Sequence, residues 1–189
     1  MIIFEAVEFI RKELNAYLKQ DKGGQDPVVL SSILAQDGSV PPEANQKVVL
    51  SLINIEREGT AASANFYTRS TDGNIARQSP AVNLNLYLLL TGSHDDYSES
   101  IKLLSNSVGF FQANPSFSST SSPDFPQSLQ KLTFEVVNLQ LQDMSHLWGA
   151  LGAKYMPSII YKVRMLTFQE AWVAEERPAI SGEDTALSS

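Results

Sequence analysis

The sequence predicts an α/β (α+β) fold: a single domain whose mixed sheet is flanked by helices. Three observations lead there. Apolar residues recur at a helical period in some stretches and at a period of two in others, in the order αββ(loop)βαβαβ, which suits helices covering one sheet. A chain of 189 residues can bury one sizeable core and is short for two. Its 43% hydrophobic and 19% charged residues are the proportions of a globular chain rather than a disordered one.

The first element is an amphipathic helix, because Ile3, Val7, Ile10, Leu14 and Tyr17 recur at steps of three and four and share a face. Asp21-Lys22-Gly23-Gly24 is expected to end it. Pro27 to Leu34 reads as a strand. Asp37 to Asn45 reads as a turn-rich connection in which Pro41 and Pro42 exclude regular structure. Lys47 to Glu56 is a strand with Val48, Leu50 and Leu52 on one face and Val49, Ile53 and Ile55 on the other, so both faces are expected to be buried. From Gly59 to Pro80 the apolar pattern disappears. An interval that long inside a domain points to a functional loop, here a polar hairpin or an arm that orders against a partner.

Ala81 to Leu90 carries the strongest strand signal. Val82, Leu84, Leu86, Leu88 and Leu90 form an apolar row, with Asn83, Asn85 and Tyr87 on the opposite face and Gly92 as the end. Ser93 or Asp95 is the expected cap of a helix whose stripe is Tyr97, Ile101, Leu104, Val108 and Phe111. Burying such side chains contributes roughly 1.5–3 kcal/mol each before entropy is counted, ample to dock the helix on a sheet. Asn114 to Gln127 is a Pro/Ser-rich loop, and Leu132, Phe134 and Val136 alternate as a strand. Gln142 to Leu151 forms a short helix with Met144, Leu147, Trp148 and Leu151 inward, closed by Gly152. Pro157 precedes the last strand, Ser158 to Phe168. Residues 1–169 form the predicted domain, and 170–189 read as a flexible acidic tail.

Charge narrows the partners. Fourteen basic and twenty-one acidic residues leave −7, and no stretch concentrates Lys and Arg, so neither nucleic acid nor a membrane is an expected partner. There is no cysteine, which removes disulfides, thiolate metal sites and a thiol nucleophile. The N-terminal run is broken by Glu5 and Glu8 and lacks a basic lead or a cleavage site, so it does not read as a targeting segment. Synthesis and assembly are expected in the cytoplasm, with release by lysis or as part of an exported assembly.

Convergent reactive groups are scarce. His94 lies beside a helix cap and His146 in a short helix, neither with a partner spaced like a triad. His94-Asp95-Asp96 is the best metal candidate, but acidic residues in a first helical turn follow from the helix dipole alone. The glycines match no phosphate-binding loop. The sequence therefore predicts no catalytic residue, no metal and no cofactor. Trp148 reads as a core anchor. In the last strand Lys162 and Arg164 alternate with Ile159, Tyr161, Val163 and Met165, giving one apolar and one basic face. The charges guard an edge or meet an acidic partner.

Three stretches carry a family resemblance: "VNLNLYLLLTG" (82–92) running into "DDYSESIKLLSNSVGFFQANP" (95–115); "LTFEVVNLQLQDMSHLWGALGAKYMPSIIYKVRML" (132–166); and the first helix followed by "VVLSSIL" and "VVLSLINIERE" (28–34, 48–58). Together they resemble the cap, or tail-terminator, family of extracellular contractile injection systems, to about residue 168. The resemblance implies a non-enzymatic chain without cofactors that forms a ring, six-membered in that family, on the distal end of an inner tube and its sheath. Its implied partners are copies of itself, the tube protein and the sheath protein. Glu56, Arg57, Glu58, Tyr161, Lys162 and Arg164 are the candidate contacts, weighed equally against ordinary solvated strand positions. Three other readings stay open: a phage tail-completion or neck protein, a small enzyme using His94 with Asp95 or Asp96, and a ligand-binding module with the Leu-rich strand lining a pocket.

Overall fold

The strand with the densest apolar pattern lies in the interior of the sheet, as its burial demands. A computed structural model describes residues 1–19, 26–59, 67–69, 75–78, 82–168 and 173–177. Its elements are α1 (Ile2–Lys19), β1 (Val28–Leu30), a 3-10 turn (Pro42–Ala44), β2 (Lys47–Arg57), β3 (Tyr67–Arg69), β4 (Ile75–Gln78) and β5 (Val82–Ser93). There follow α2 (Tyr97–Ala113), β6 (Ser116–Ser118), β7 (Lys131–Val137), α3 (Leu141–Leu151), β8 (Ser158–Phe168) and β9 (Val173–Arg177). A six-stranded sheet runs β1-β2-β5-β8-β7-β6, and a three-stranded sheet runs β3-β4-β9. Only β1 with β2 is parallel among the described pairs, so the large sheet is mixed, as expected.

The two faces of the large sheet bury separate clusters. On one, Leu86, Leu88 and Leu90 of β5 and Val48 and Leu50 of β2 meet α1 and α2 through Val7, Ile10, Leu14, Leu103, Phe110 and Phe111. Aromatic rings tie this layer together: Phe9 packs edge-on against Phe117 and Phe125, at 5.4 and 5.2 Å. On the other face Val49, Leu89 and Ile160 meet Ile33, Ala44 and Trp148, with Met144, Leu147 and Leu151 of α3 packed alongside. Gly152 closes α3 at φ 67°, and its N–H donates to the Gly149 carbonyl at 3.1 Å.

Several elements depart from the sequence reading, each for a local reason. The first strand stops at Leu30, because Ile33 drops into the second cluster, 4% exposed. Pro42 starts a 3-10 turn, a position where its fixed φ fits and its missing N–H costs nothing. Both faces of β2 are buried only over its first half, since Leu52 and Ile55 are exposed, and a bulge at Ile53 re-aims the strand. Gly92 lies inside β5 rather than ending it. The cap of α2 is Asp96, whose side chain accepts from the Ser98 N–H at 2.8 Å.

The buried stripe of α2 is Ser100, Leu103, Ser107, Phe110 and Phe111, while Tyr97 and Ile101 are exposed. The two serines need no apolar partner, because Ser107 Oγ donates to the Leu103 carbonyl at 2.8 Å and Ser100 Oγ to that of His94 at 3.2 Å. Within the Pro/Ser-rich loop, Ser116–Ser118 forms β6, and Phe117 and Phe125 enter the core. β3 and β4 make a hairpin inside the polar interval. Val173–Arg177, in the segment read as a tail, is a strand paired with β4. The expected glycine end of α1 and residues 178–189 lie outside the described residues.

Candidate interaction surface

Among the described residues, part of the second face of the large sheet is not covered by a helix. α3 and the 3-10 turn shield the half of the second face around Val49 and Leu89, leaving the halves of β2, β5 and β8 that approach the second sheet. Alternation fills this open half with polar side chains. Register then decides which of them meet: Glu56 faces Asn85 across β2–β5, Tyr87 faces Lys162 across β5–β8, and Lys162 faces Glu135 across β8–β7.

The result is a charged platform. Tyr87 Oη donates to Glu56 Oε2 at 2.6 Å, and Lys162 Nζ reaches the same oxygen at 3.2 Å while lying 5.5 Å from the Tyr87 ring centroid. Arg164 Nη1 donates to Glu135 Oε1 at 2.9 Å, and its Nη2 lies 3.5 Å from Glu58 Oε2. Asn85, 1% exposed, donates to Glu58 at 2.8 Å. The Tyr87 hydroxyl and then Lys162 hold the Glu56 carboxyl below its ordinary range. The same bond to Glu56 raises the Tyr87 hydroxyl. Burial opposes the charge on Lys162, but Glu56 and Tyr87 outweigh it and raise the ammonium. Glu135 raises Arg164.

The platform unites four of the six candidate residues: Glu56, Glu58, Lys162 and Arg164. Tyr161 does not belong to it. It points to the opposite face, is 3% exposed, and stacks on Phe111 at 4.3 Å, so its place is in the core and its nomination as a surface contact is corrected. Burial raises its hydroxyl. Arg57 also lies off the platform, exposed on the helix side of β2 beyond Leu52 and Ile55. β8 is hydrogen-bonded on both edges, so Lys162 and Arg164 guard no edge. Sequence reasoning placed Asn85 and Tyr87 on this face without assigning them to the site, and it passed over Glu135. Only the register joins them.

The reactive candidates have structural work. His94 Nδ1 accepts from the Asp96 N–H at 3.0 Å, and Asp96 caps α2, so two members of the His94-Asp95-Asp96 run organise the helix start. Among the described residues no group of three or more His, Asp or Glu side chains is placed to hold a metal. Leu86, Leu88, Leu89 and Leu90 are each 0% exposed, so these side chains fill the core. No helix among the described residues is long and apolar enough to cross a membrane.

A second surface feature lies at the start of α1, where Met1, Ile3, Phe4, Val7, Leu30 and Leu52 line an open groove of about 480 Å³. Phe4 is 58% exposed and Leu52 37%, unusual for side chains of this kind outside an interface. β1 ends at Leu30, so β2 runs on past it and leaves Leu52 uncovered.

No curated protein sequence is significantly similar. The fold is similar to that of the sheath/tube terminator of PVC, an extracellular contractile injection system, in its extended state, with a TM-score of 0.64 at 17% identity over 99% of this chain. It is also similar to the tube-terminating cap of the anti-feeding prophage, with a TM-score of 0.62 at 16% identity over 99% of this chain. The chain spans 63% and 61% of the lengths of those two proteins. A family model described as the Pvc16 N-terminal domain matches residues 5–182, nearly the whole sequence, and the chain belongs to that family.

Proposed function

We propose that this chain is a terminator: a ring of copies, six by family resemblance, that seats on the distal end of a contractile particle's tube and sheath and stops further layers from adding. The observation that carries the reading is family membership over residues 5–182, joined to a fold shared along 99% of the chain with two proteins described as a terminator and a cap. A growing tube re-creates its binding surface with every layer. A closed ring ends that growth, because head-to-tail contacts are used up by rotational closure and the outer side repeats nothing.

The platform supplies a fitting surface for a repeated layer. Glu56, Glu58, Lys162 and Arg164 are held in fixed positions by their mutual bonds, and with Arg57 they are the contacts we assign to tube, sheath or neighbouring subunit. The hairpin β3–β4 joins β2 to β5, and β9 follows β8 after a short connection, so the second sheet grows from the same end as the platform. Its outer strands can pair with a strand of a sheath subunit. The chain works by shape and needs no cofactor or turnover. Assembly takes place in the cytoplasm and the finished particle leaves by lysis.

Electron microscopy of particles assembled with and without the chain tests the reading. Loss should give tubes or sheaths of uncontrolled length, and labelled chain should sit at the end away from the baseplate. Particles of normal length without it, or label spread along the shaft, would refute the role.

A further inference from the structure

We propose that neighbouring copies of this chain join through a knob and a groove on opposite flanks of α1: the exposed Pro123-Asp124 tip of one copy, anchored by Phe125, enters the apolar groove of the next, from which the β2 row leads on through Ile55 to Arg57. This deepens the ring reading and rests on it for closure.

The groove flank is built by α1's first turns with Leu30 and Leu52. Along the helix side of β2 the row runs Val48, Leu50, Leu52, Ile55, Arg57, because these face Gly92, Leu90, Leu88, Leu86 and Leu84 of β5, the bulge at Ile53 keeping the last two on that side. The apolar strip therefore ends in a guanidinium. Arg57 is exposed and has no ion pair among the described residues.

The knob flank lies on the other side of α1. Phe125 anchors the loop, 5% exposed with its ring 5.2 Å from Phe9, and the Ser128 hydroxyl donates to Glu5 Oε2 at 2.5 Å. Backbone bonds from Phe125 N to Ser122 O (3.2 Å) and from Leu129 N to Pro126 O (3.0 Å) fix its shape. Pro123 and Asp124 are left exposed at its tip, with Pro126 half-buried. Glu13 follows Phe9 by one helical turn and so lies beside Asp124. Burial and then this neighbour raise the Glu13 carboxyl, as expected for two acids with no cation between them.

Knob and groove match in three respects. Rigid proline surface meets an apolar trough, the carboxylates of Asp124 and Glu13 meet Arg57, which has no ion pair among the described residues, and ordering a pre-shaped loop forfeits little entropy. A second copy is the occupant because one molecule carries both halves facing apart, which makes the contact heterologous and repeatable. Copies that each carry −7 repel one another, so their contact needs an apolar centre and a local reversal of charge.

The chain's lack of cysteine makes the test direct. Full-length Leu52→Cys and Pro123→Cys variants, mixed and mildly oxidised, should give a disulfide-linked heterodimer that neither gives alone. In native mass spectrometry at low salt, Arg57→Glu should weaken self-association by about tenfold or more, and mixing it with Asp124→Arg should restore pairing between the two variants. If wild type and Arg57→Glu form the same oligomers and no mixed disulfide appears, this contact is wrong while the ring reading stands. If wild type stays monomeric at every concentration, no mixed disulfide appears, and no ring forms on added tubes, both fail.

Discussion

Replacing Gly92 by Ala is the sharpest probe of how the sheet and α2 fit together. A Cβ built at Gly92 would stand 2.4 Å from the Ser100 carbonyl oxygen, 3.0 Å from its carbon and 3.2 Å from Ser100 Cα. All three are backbone atoms in the first turn of α2, so no rotamer change can relieve the overlap. Ser100 is 3% exposed and ties back to the His94 carbonyl, so the turn cannot swing outward without breaking a buried bond. Overpacking a core typically costs about 1–3 kcal/mol, and contacts this short with backbone belong at the upper end. For a chain of this length about 3 kcal/mol lowers Tm by roughly 6–12 °C. Gly109→Ala in the same helix is the control: its Cβ would meet only the Tyr17 hydroxyl, at 3.9 Å, so it should stabilise by up to about 1 kcal/mol through helix propensity. Thermal and urea unfolding followed by circular dichroism should give opposite signs for the two substitutions. A Gly92→Ala protein within about 0.5 kcal/mol of wild type would refute the claim that α2 is seated directly on β5.

Two further substitutions separate core from platform. Tyr161→Ala should cost about 3–5 kcal/mol in urea denaturation because it empties a ring-sized volume against Phe111, whereas its neighbour Lys162→Ala should cost less than about 1 kcal/mol, as exposed ion pairs do. Glu56 has a carboxyl depressed by Tyr87 and Lys162, so the stability it contributes is present above its unfolded value and fades as pH falls through the folded one. Glu56→Gln should therefore lower stability slightly at neutral pH, where the charged carboxyl contributes, and flatten the fall of the profile on its acid side, so that variant and wild type converge below the ordinary carboxylate range. An unaltered acid limb would mean the Tyr87–Glu56–Lys162 bonds do not hold in solution.

How much of this was legible in the sequence depends on whether local pattern or distant contact decides each element. β8 runs from Ser158 to Phe168 as read, since Pro157 precedes it and residues 161–165 alternate in polarity. α3, with Trp148 inward and Gly152 as its stop, was equally local. The stripe of α2 was misplaced because two buried positions carry serine, whose hydroxyls bond to the helix backbone and to His94, and because apolar Tyr97 and Ile101 face out. β6 is three residues long and is defined by β7 rather than by its own pattern. The candidate surface shows the same division. Alternation put Lys162 and Arg164 on a polar face and Tyr161 on the apolar one. That Glu56, Tyr87 and Lys162 converge depends on a register interrupted by two bulges, which no local pattern encodes.

The two surfaces differ in what they offer a partner. On the platform the carboxylates of Glu56, Glu58 and Glu135 are met, among the described residues, by Lys162 and Arg164 within the chain itself. Such groups gain little when a second charge approaches, and removing their water costs free energy, so the platform fixes position more than it supplies attraction. The flank of α1 is the reverse: exposed apolar side chains and an arginine without a partner among the described residues gain both burial and a counter-ion on contact. On the proposed reading, lateral cohesion of the ring therefore resides beside α1, and register against the layer beneath resides on the platform. The separation is useful for a terminator, because a subunit bound strongly by its layer-facing side alone would seat wherever a layer end appears, whereas cohesion within the ring makes seating of all copies a single cooperative event.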